Sequence, residues 1–350
     1  MKLAPVARAL ARRDGVEHLV VHTGQHYDPA MSDALFHDLD LPAPHHDLDV
    51  GSGSHAIQTA LVMQRLEPVL LEQRADVVLV YGDVNSTLAA ALTAAKLGMA
   101  VAHVEAGLRS RDRTMPEEIN RVVTDRLADH LFAPSRDAVA NLREEGVPAE
   151  RVHFVGNVMI DTLCWALPRA MRRAPGPRFG VAGRPYVLAT LHRPTNVDDG
   201  SRLAELVGTL ADLSDQVPVL FPLHPRTRRR IEALNGGNGH PGLRLLTPLG
   251  YTDMVGLVAG AQFVITDSGG IQEETTFLGV PCLTVRPNTE RPITCELGTN
   301  QLVPPRCEAI LAAARGALAR RAPRRPVIER WDGRAAERIA GVLCDGERYV

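Results

Sequence analysis

Residues 263–274 read Phe263-Val-Ile-Thr-Asp-Ser-Gly-Gly-Ile-Gln-Glu-Glu274, and Asn288-Thr-Glu-Arg-Pro292 follows shortly after. The β-branched run from Phe263 to Thr266 predicts a buried parallel strand, and Asp267-Ser268-Gly269-Gly270 turns it into a helix opened by Ile271-Gln272-Glu273-Glu274. Such a turn presents unpaired backbone N–H groups carrying about half a positive charge, and two glycines without Cβ let a diphosphate come close to them. A nucleotide diphosphate is therefore the anion expected at Ser268, Gly269 and Gly270. Glu273 and Glu274 stand one turn further on, where carboxylates suit ribose hydroxyls rather than phosphate. Arg291 is then available to neutralise a phosphate oxygen. The plain alternative is that Ser268 is an ordinary N-cap above a tight turn.

The chain has 350 residues, which is long for one core, so two domains are expected. An apolar content of 45% is that of a globular protein, and a net charge of −2 argues against a general nucleic-acid or acidic-membrane surface. The five cysteines, Cys164, Cys282, Cys295, Cys307 and Cys344, are scattered without a C-x-x-C pair and read as reduced thiols of a cytoplasmic protein. His18, His22 and His26 recur every four residues, but on a strand that spacing spans about 13 Å, too far to share one ion. The sequence as given shows no n-region followed by an apolar h-region and no uninterrupted apolar run of membrane-spanning length.

Outward from the opening stretch, strand and helix alternate along the whole chain, which predicts an α/β fold with parallel sheets. Lys2 to Arg12 reads as an amphipathic helix, whereas a doubly wound domain ordinarily opens on its central strand. The first strand is thus expected upstream of Met1, in a longer natural gene. Predicted strands follow at Val16–His22, Leu48–Val50, Asp76–Val80, Ala100–Val104 and Val152–Val155. The first of them leads into Thr23-Gly-Gln-His-Tyr-Asp28 and a helix over Met31–Leu39, and Ser54 caps a long helix from His55. After the Pro/Gly-rich segment around Ala174–Pro185 the pattern restarts, with strands at Tyr186–Leu191, Val217–Leu223, Leu243–Leu246, Phe263–Thr266 and Cys282–Val285. The expected organisation is a Rossmann-like domain over 1–173, a second over 181–330 that binds the nucleotide, and a terminal helix over 331–350 packing back across the boundary. Ligands in such sheets sit outside the carboxyl ends of the strands, so two sheets facing each other would gather the polar clusters into one cleft.

The first domain offers Asp83 after one strand, Glu105 after the next, and Glu117-Glu118 behind Pro116 at a helix start. Glu117 and Glu118 also suit simple complementation of a helix dipole, and Asp83 suits capping. Glu105, between an apolar strand and Ala106-Gly107-Leu108, needs a partner, and Arg109 and Arg121 are the obvious ones. The second domain offers His192 and His224, both at strand ends. His103, inside a strand, reads as structural, and His45-His46 as solvated. Carboxylates together with a diphosphate site suggest proton chemistry on a nucleotide sugar, with raised carboxylate pKa values suited to general acid/base work. No cofactor and no metal is required. An epimerase and a glycosyltransferase remain equally open on these residues.

The motifs Lys2-Leu-Ala-Pro5, Thr23-Gly-Gln-His26, Tyr81-Gly-Asp-Val-Asn-Ser-Thr87, His103-Val-Glu-Ala-Gly-Leu-Arg109, Met115-Pro-Glu-Glu-Ile-Asn-Arg121, Gly156-Asn-Val-Met-Ile-Asp161, Leu191-His-Arg-Pro194, Thr266–Glu274 and Thr289-Glu-Arg-Pro292 together resemble the bacterial non-hydrolysing UDP-N-acetylglucosamine 2-epimerases. The resemblance implies two Rossmann-like domains facing across a cleft, as in GT-B glycosyltransferases, in a cytoplasmic homodimer. It implies interconversion of UDP-GlcNAc and UDP-ManNAc through elimination of UDP to 2-acetamidoglucal and re-addition. Asp83, Glu105, Glu117 and His192 match catalytic positions. Ser268 and Gly269 match diphosphate contacts, with Gly270 beside them; Glu274 matches a ribose contact, Arg291 a phosphate contact and Lys2 a cleft lysine. Arg121 and His224 join the substrate-binding candidates. The chain departs from the family pattern in lacking the Gly-Thr-Arg-Pro-Glu loop before Met1, in Tyr27 where an arginine is common, and in Leu249-Gly250 where some members are polar. The second UDP-GlcNAc that regulates some members is therefore not expected here. A 2-epimerase of a UDP-diacetamido uronic acid and a GT-B glycosyltransferase are the rival readings.

Overall fold

The computed structural model describes residues 1–24, 35–223, 225–234, 240–319 and 325–349. Gln25–Asp28, the first residues of the helix expected over Met31–Leu39, and His224 lie outside them. Packing divides the chain into two α/β units, Met1–Thr162 with Glu329–Val350, and Leu163–Ile328.

In the first unit, β1 (Val21–His22) pairs in parallel with β2 (His46–Asp47), while β3 (Val77–Tyr81), β4 (Ala100–Val104), β5 (His130–Ala133) and β6 (Val152–Phe154) form a parallel sheet in that order. The run of β-branched and apolar residues predicts strands covered on both faces, and both faces are covered. Val78, Val80, Val101 and Leu131 pack with helices His55–Gln73, Asn85–Lys96 and Arg136–Glu144. Ala102, Val104 and Phe132 pack on the other side with Val6 and Leu10 of helix Leu3–Leu10 and with Ala336, Ile339 and Ala340 of helix Ala335–Asp345. The amphipathic N-terminal stretch thus finds its apolar partner at the far end of the chain.

Two strand expectations are corrected here. Val16–His22 pairs only at Val21–His22, and its neighbour pairs at His46–Asp47 rather than Leu48–Val50. Asp49 takes a left-handed φ of 44°, its N–H bonded to the Asp47 carboxylate at 2.9 Å. A side chain that captures a backbone donor two residues on competes with the ladder, and the strand stops there.

The second unit is a six-stranded parallel sheet of β7 (Val187–Thr190), β8 (Val219–Pro222), β9 (Leu243–Leu246), β10 (Phe263–Thr266), β11 (Cys282–Val285) and β12 (Asn300–Val303), in the order β12-β11-β10-β7-β8-β9. Alternate residues divide between two cores: Val187, Ala189, Phe263 and Ile265 on one face, Leu188 and Val264 on the other. β12 was not expected, because its polar start hides it. Asn300 is buried there, receiving a hydrogen bond from Thr284 Oγ1 at 2.6 Å and donating to Gln272 Oε1 at 3.0 Å.

Asp161, in the first turn of helix Val158–Arg173, accepts from the N–H groups of Ala335 (3.2 Å) and Ala336 (2.7 Å) and so caps the terminal helix. Burial pushes its carboxyl up to about 6, against the opposing pull of those bonds. A carboxyl raised on folding retains a proton that the unfolded chain has lost. Its stabilising share is full below the ordinary aspartate value and is lost as pH rises through about 6. Urea unfolding across this window is expected to show the native chain losing on the order of 3 kcal/mol relative to Asp161→Asn, which cannot titrate.

Candidate functional site

In the second sheet β7 and β10 lie side by side, with Ile265 opposite Ala189 and Thr266 opposite Thr190. From β7 the chain builds outward through β8 and β9, and from β10 it builds the opposite way through β11 and β12. The carboxyl ends of such a pair form the switch point where open α/β sheets bind ligands. His192 follows β7, and Asp267-Ser268-Gly269-Gly270 follows β10.

Asp267 has no solvent exposure. Its carboxylate accepts from the N–H groups of His192 (3.1 Å) and Arg193 (3.0 Å), from Asn196 Nδ2 (2.9 Å), and lies 2.8 Å from His192 Nδ1. Ser268 occupies the N-cap position of helix Gly269–Leu278, but its hydroxyl makes no capping bond, so the plain N-cap reading does not hold. The first-turn N–H groups are thus left to another acceptor. Gly269 leaves room for its neighbours: a Cβ there would lie 2.5 Å from Arg291 Nη1 and 2.8 Å from Glu290 Oε1, so that pair would have to shift.

Arg291 is more deeply engaged than the sequence suggests. It pairs with Glu273 at 2.9 Å and with Glu290, while Arg286 meets Glu290 at 2.7 Å and Arg193 approaches it to 4.0 Å. Three guanidinium groups thus gather with Glu273 and Glu290 close to a helix N-terminus, whose first-turn N–H groups suit a diphosphate. Glu274 is buried and accepts from the Tyr251 hydroxyl at 2.8 Å. Burial, reinforced by Glu273 and opposed by the Tyr251 bond, raises its carboxyl to about 7.

The first unit gathers its polar groups at the carboxyl ends of β3 and β4. Glu105 is corrected as to partner: it pairs with Lys2 from the N-terminal helix, not with Arg109 or Arg121. Arg109 is taken by Asp125 and Glu145, both at 2.7 Å. Arg121 is taken by Asp83 at 2.5 Å and Glu118 at 3.3 Å. Glu105 also carries a left-handed φ of 77°, a conformation costing about 1–3 kcal/mol for a side-chain-bearing residue and concentrated at functional sites. Gly82 makes room for the pair, since a Cβ there would lie 2.6 Å from Lys2 Nζ and 3.3 Å from Glu105 Oε2.

His103 is structural, as its strand position suggests: buried, it bridges Asp125 (2.6 Å) and the Gly82 carbonyl (2.8 Å) with its two ring nitrogens. Burial alone would raise the Asp125 carboxyl, but His103 and Arg109 hold it below the usual range. The adjacent acids Glu117 and Glu118 separate in role. Glu118 is buried and clamps the preceding loop through the N–H groups of Ser110 (2.8 Å) and Arg111 (2.9 Å), which is more than dipole complementation. Glu117 stays half-buried, and among the described residues its carboxylate has no hydrogen-bond or ion-pair partner.

A family model described as UDP-N-acetylglucosamine 2-epimerase matches residues 8–344. A UDP-N-acetylglucosamine 2-epimerase of Methanocaldococcus jannaschii is 40% identical, the match covering 99% of this chain and 96% of that one.

This chain belongs to the UDP-N-acetylglucosamine 2-epimerase family.

It is thus an epimerase of the isomerase class. The solved M. jannaschii epimerase in complex with UDP-GlcNAc and UDP superposes with a TM-score of 0.91 at 39% identity, covering 99% of this chain and 96% of that one. The Neisseria meningitidis epimerase bound to UDP-GlcNAc gives 0.88 at 29% identity, with 98% and 96% covered. A UDP-2,3-diacetamido-2,3-dideoxy-D-glucuronate 2-epimerase of Pseudomonas aeruginosa is 42% identical over 91% of this chain and 89% of that one.

Sequence reasoning assigned no role to Asp267, Asp125, Arg286 or Glu290. Each lies within or beside a quoted motif; the partners of Asp267 and Asp125 come from another strand or loop, while Arg286 and Glu290 pair with each other across four residues. At Gly82 the geometry gives a direct test. Gly82→Ala imposes a side chain on a φ of 66° and presses on Lys2. Thermal unfolding is expected to show a loss of about 1–2 kcal/mol, a fall in Tm of several degrees.

Proposed function

We propose that this epimerase interconverts UDP-GlcNAc and UDP-ManNAc, by elimination of UDP to bound 2-acetamidoglucal and re-addition with C2 inverted. The observation that carries the reading is the near full-length similarity to an archaeal epimerase solved with UDP-GlcNAc and UDP. The helix N-terminus at Gly269, with guanidinium groups beside it, is suited to the diphosphate, and Glu274 to the ribose. The acids Asp83, Glu105 and Glu117 are suited to proton transfer at C2. In the forward half-reaction a carboxylate takes the C2 proton, the C–H electrons form the C1–C2 double bond, and UDP leaves with the C1–O electron pair. Inversion requires that the proton return to the opposite face of C2, so at least two acids divide the work.

Proton NMR of UDP-GlcNAc with the purified protein in D2O is expected to show UDP-ManNAc carrying deuterium at C2. Asp83→Asn, Glu105→Gln and Glu117→Gln are each expected to slow the exchange about 100-fold or more. An inert C2 proton with the wild-type chain would sink the reading.

A second reading is favoured by the P. aeruginosa relative, which acts on UDP-2,3-diacetamido-2,3-dideoxy-D-glucuronate. The same assay with that sugar nucleotide separates the two. A kcat/KM about tenfold above that for UDP-GlcNAc would move the assignment, since discrimination is the ratio of these constants.

A further inference from the structure

Among the described residues two histidines bond a buried aspartate through Nδ1, and they differ at the other nitrogen. His103 spends Nε2 on the Gly82 carbonyl at 2.8 Å and is fully buried. His192 holds Asp267 at 2.8 Å, its side chain is 65% exposed, and Nε2 has no partner among the described residues. A carboxylate only accepts, so the hydrogen between Asp267 and the His192 ring must sit on Nδ1. Asp267 is itself immobilised by the N–H groups of His192 and Arg193 and by Asn196, and its own carbonyl accepts from Arg193 Nε at 3.2 Å. The ring is thereby tied to the residue that immediately precedes the Ser268-Gly269 turn.

Resting on the epimerase reading above, we infer that Asp267 is a positioning residue: it locks His192 with Nδ1 protonated, so that Nε2 exchanges a proton with the diphosphate leaving group. The step starts from the imidazolium, with hydrogen on both nitrogens: as the C1–O bond breaks, its electron pair stays on the β-phosphate oxygen, the Nε2 proton passes to that oxygen, and the ring is left neutral with its remaining hydrogen on Nδ1 against Asp267. On re-addition the oxygen bonds C1 and the proton returns to Nε2. Without Asp267 the ring could rotate or take the other tautomer, which leaves Nδ1 to face the ligand. Burial alone would raise the Asp267 carboxyl, yet the hydrogen bonds and charge of His192, with Asn196 and the Arg193 N–H, hold it below the usual range. This agrees with a carboxylate that stays ionised against the ring.

The test joins a tautomer measurement to kinetics. Long-range proton–nitrogen correlation spectra at about pH 8, where an ordinary imidazole is neutral, are expected to show His192 with hydrogen on Nδ1 in the native chain. His192→Ala identifies the signal. D267N is expected to lower kcat about 100-fold, with KM changed less than about threefold, and to add nothing to H192A in the double variant, because one acts through the other. Losses that multiply in the double variant, or hydrogen on Nε2 in the native chain, would overturn the role of Asp267. If D267N fails to fold, the native spectrum still decides. A native chain that never exchanges the C2 proton would overturn the epimerase reading, and the leaving-group role with it. The tautomer would then report separately on whether Asp267 holds the ring.

Discussion

A carboxylate buried without partners costs several kcal/mol, and Asp267 escapes that cost only because four donors converge on it. All four come from the segment following β7, whereas Asp267 follows β10. The single desolvated charge therefore pins two strand ends that are adjacent in space and 75 residues apart in sequence. The placement of the glycine turn and of the exposed imidazole follows from that attachment, because each is within a few residues of one of its ends.

The first unit solves the same problem with Asp125. There the buried carboxylate meets His103 from β4 and Arg109 from the following loop, and it also accepts from the Gly107 N–H at 3.1 Å. Both units thus fasten the carboxyl edge of a parallel sheet by enclosing a negative charge with donors from neighbouring chain segments. The consequence in the first unit is that Glu105 is held at a left-handed backbone angle over Gly82, beside Lys2. Strain of that kind persists only where the surroundings overdetermine the position.

Membership of the epimerase family and the identity of the substrate rest on different grounds. Parallel sheets and a helix N-terminus with guanidinium groups beside it suit any nucleotide sugar, because the diphosphate dominates what such a turn recognises. Relatives of similar identity include enzymes acting on UDP-GlcNAc and one acting on a diacetamido uronic acid. The sugar is distinguished by contacts at its own hydroxyl, acetamido or carboxylate groups, which are few and worth little in overall similarity.

Read alone, the chain was sufficient for the α/β class, for most strands of both sheets, and for the turn at Ser268–Gly270. These are local matters: apolar runs of strand length and glycines at a strand end carry their meaning within a few residues. The resemblance carried by its motifs also pointed to the family. Partnership was decided by tertiary structure. Glu105 chose Lys2, 103 residues away, over the nearby Arg109 and Arg121, because each arginine was already held by other acids. Asn300 opened a strand that its polarity concealed, because Thr284 and Gln272 were there to satisfy it. A buried polar group is stable only beside its complement, and in a parallel sheet that complement arrives from a strand or loop far along the chain.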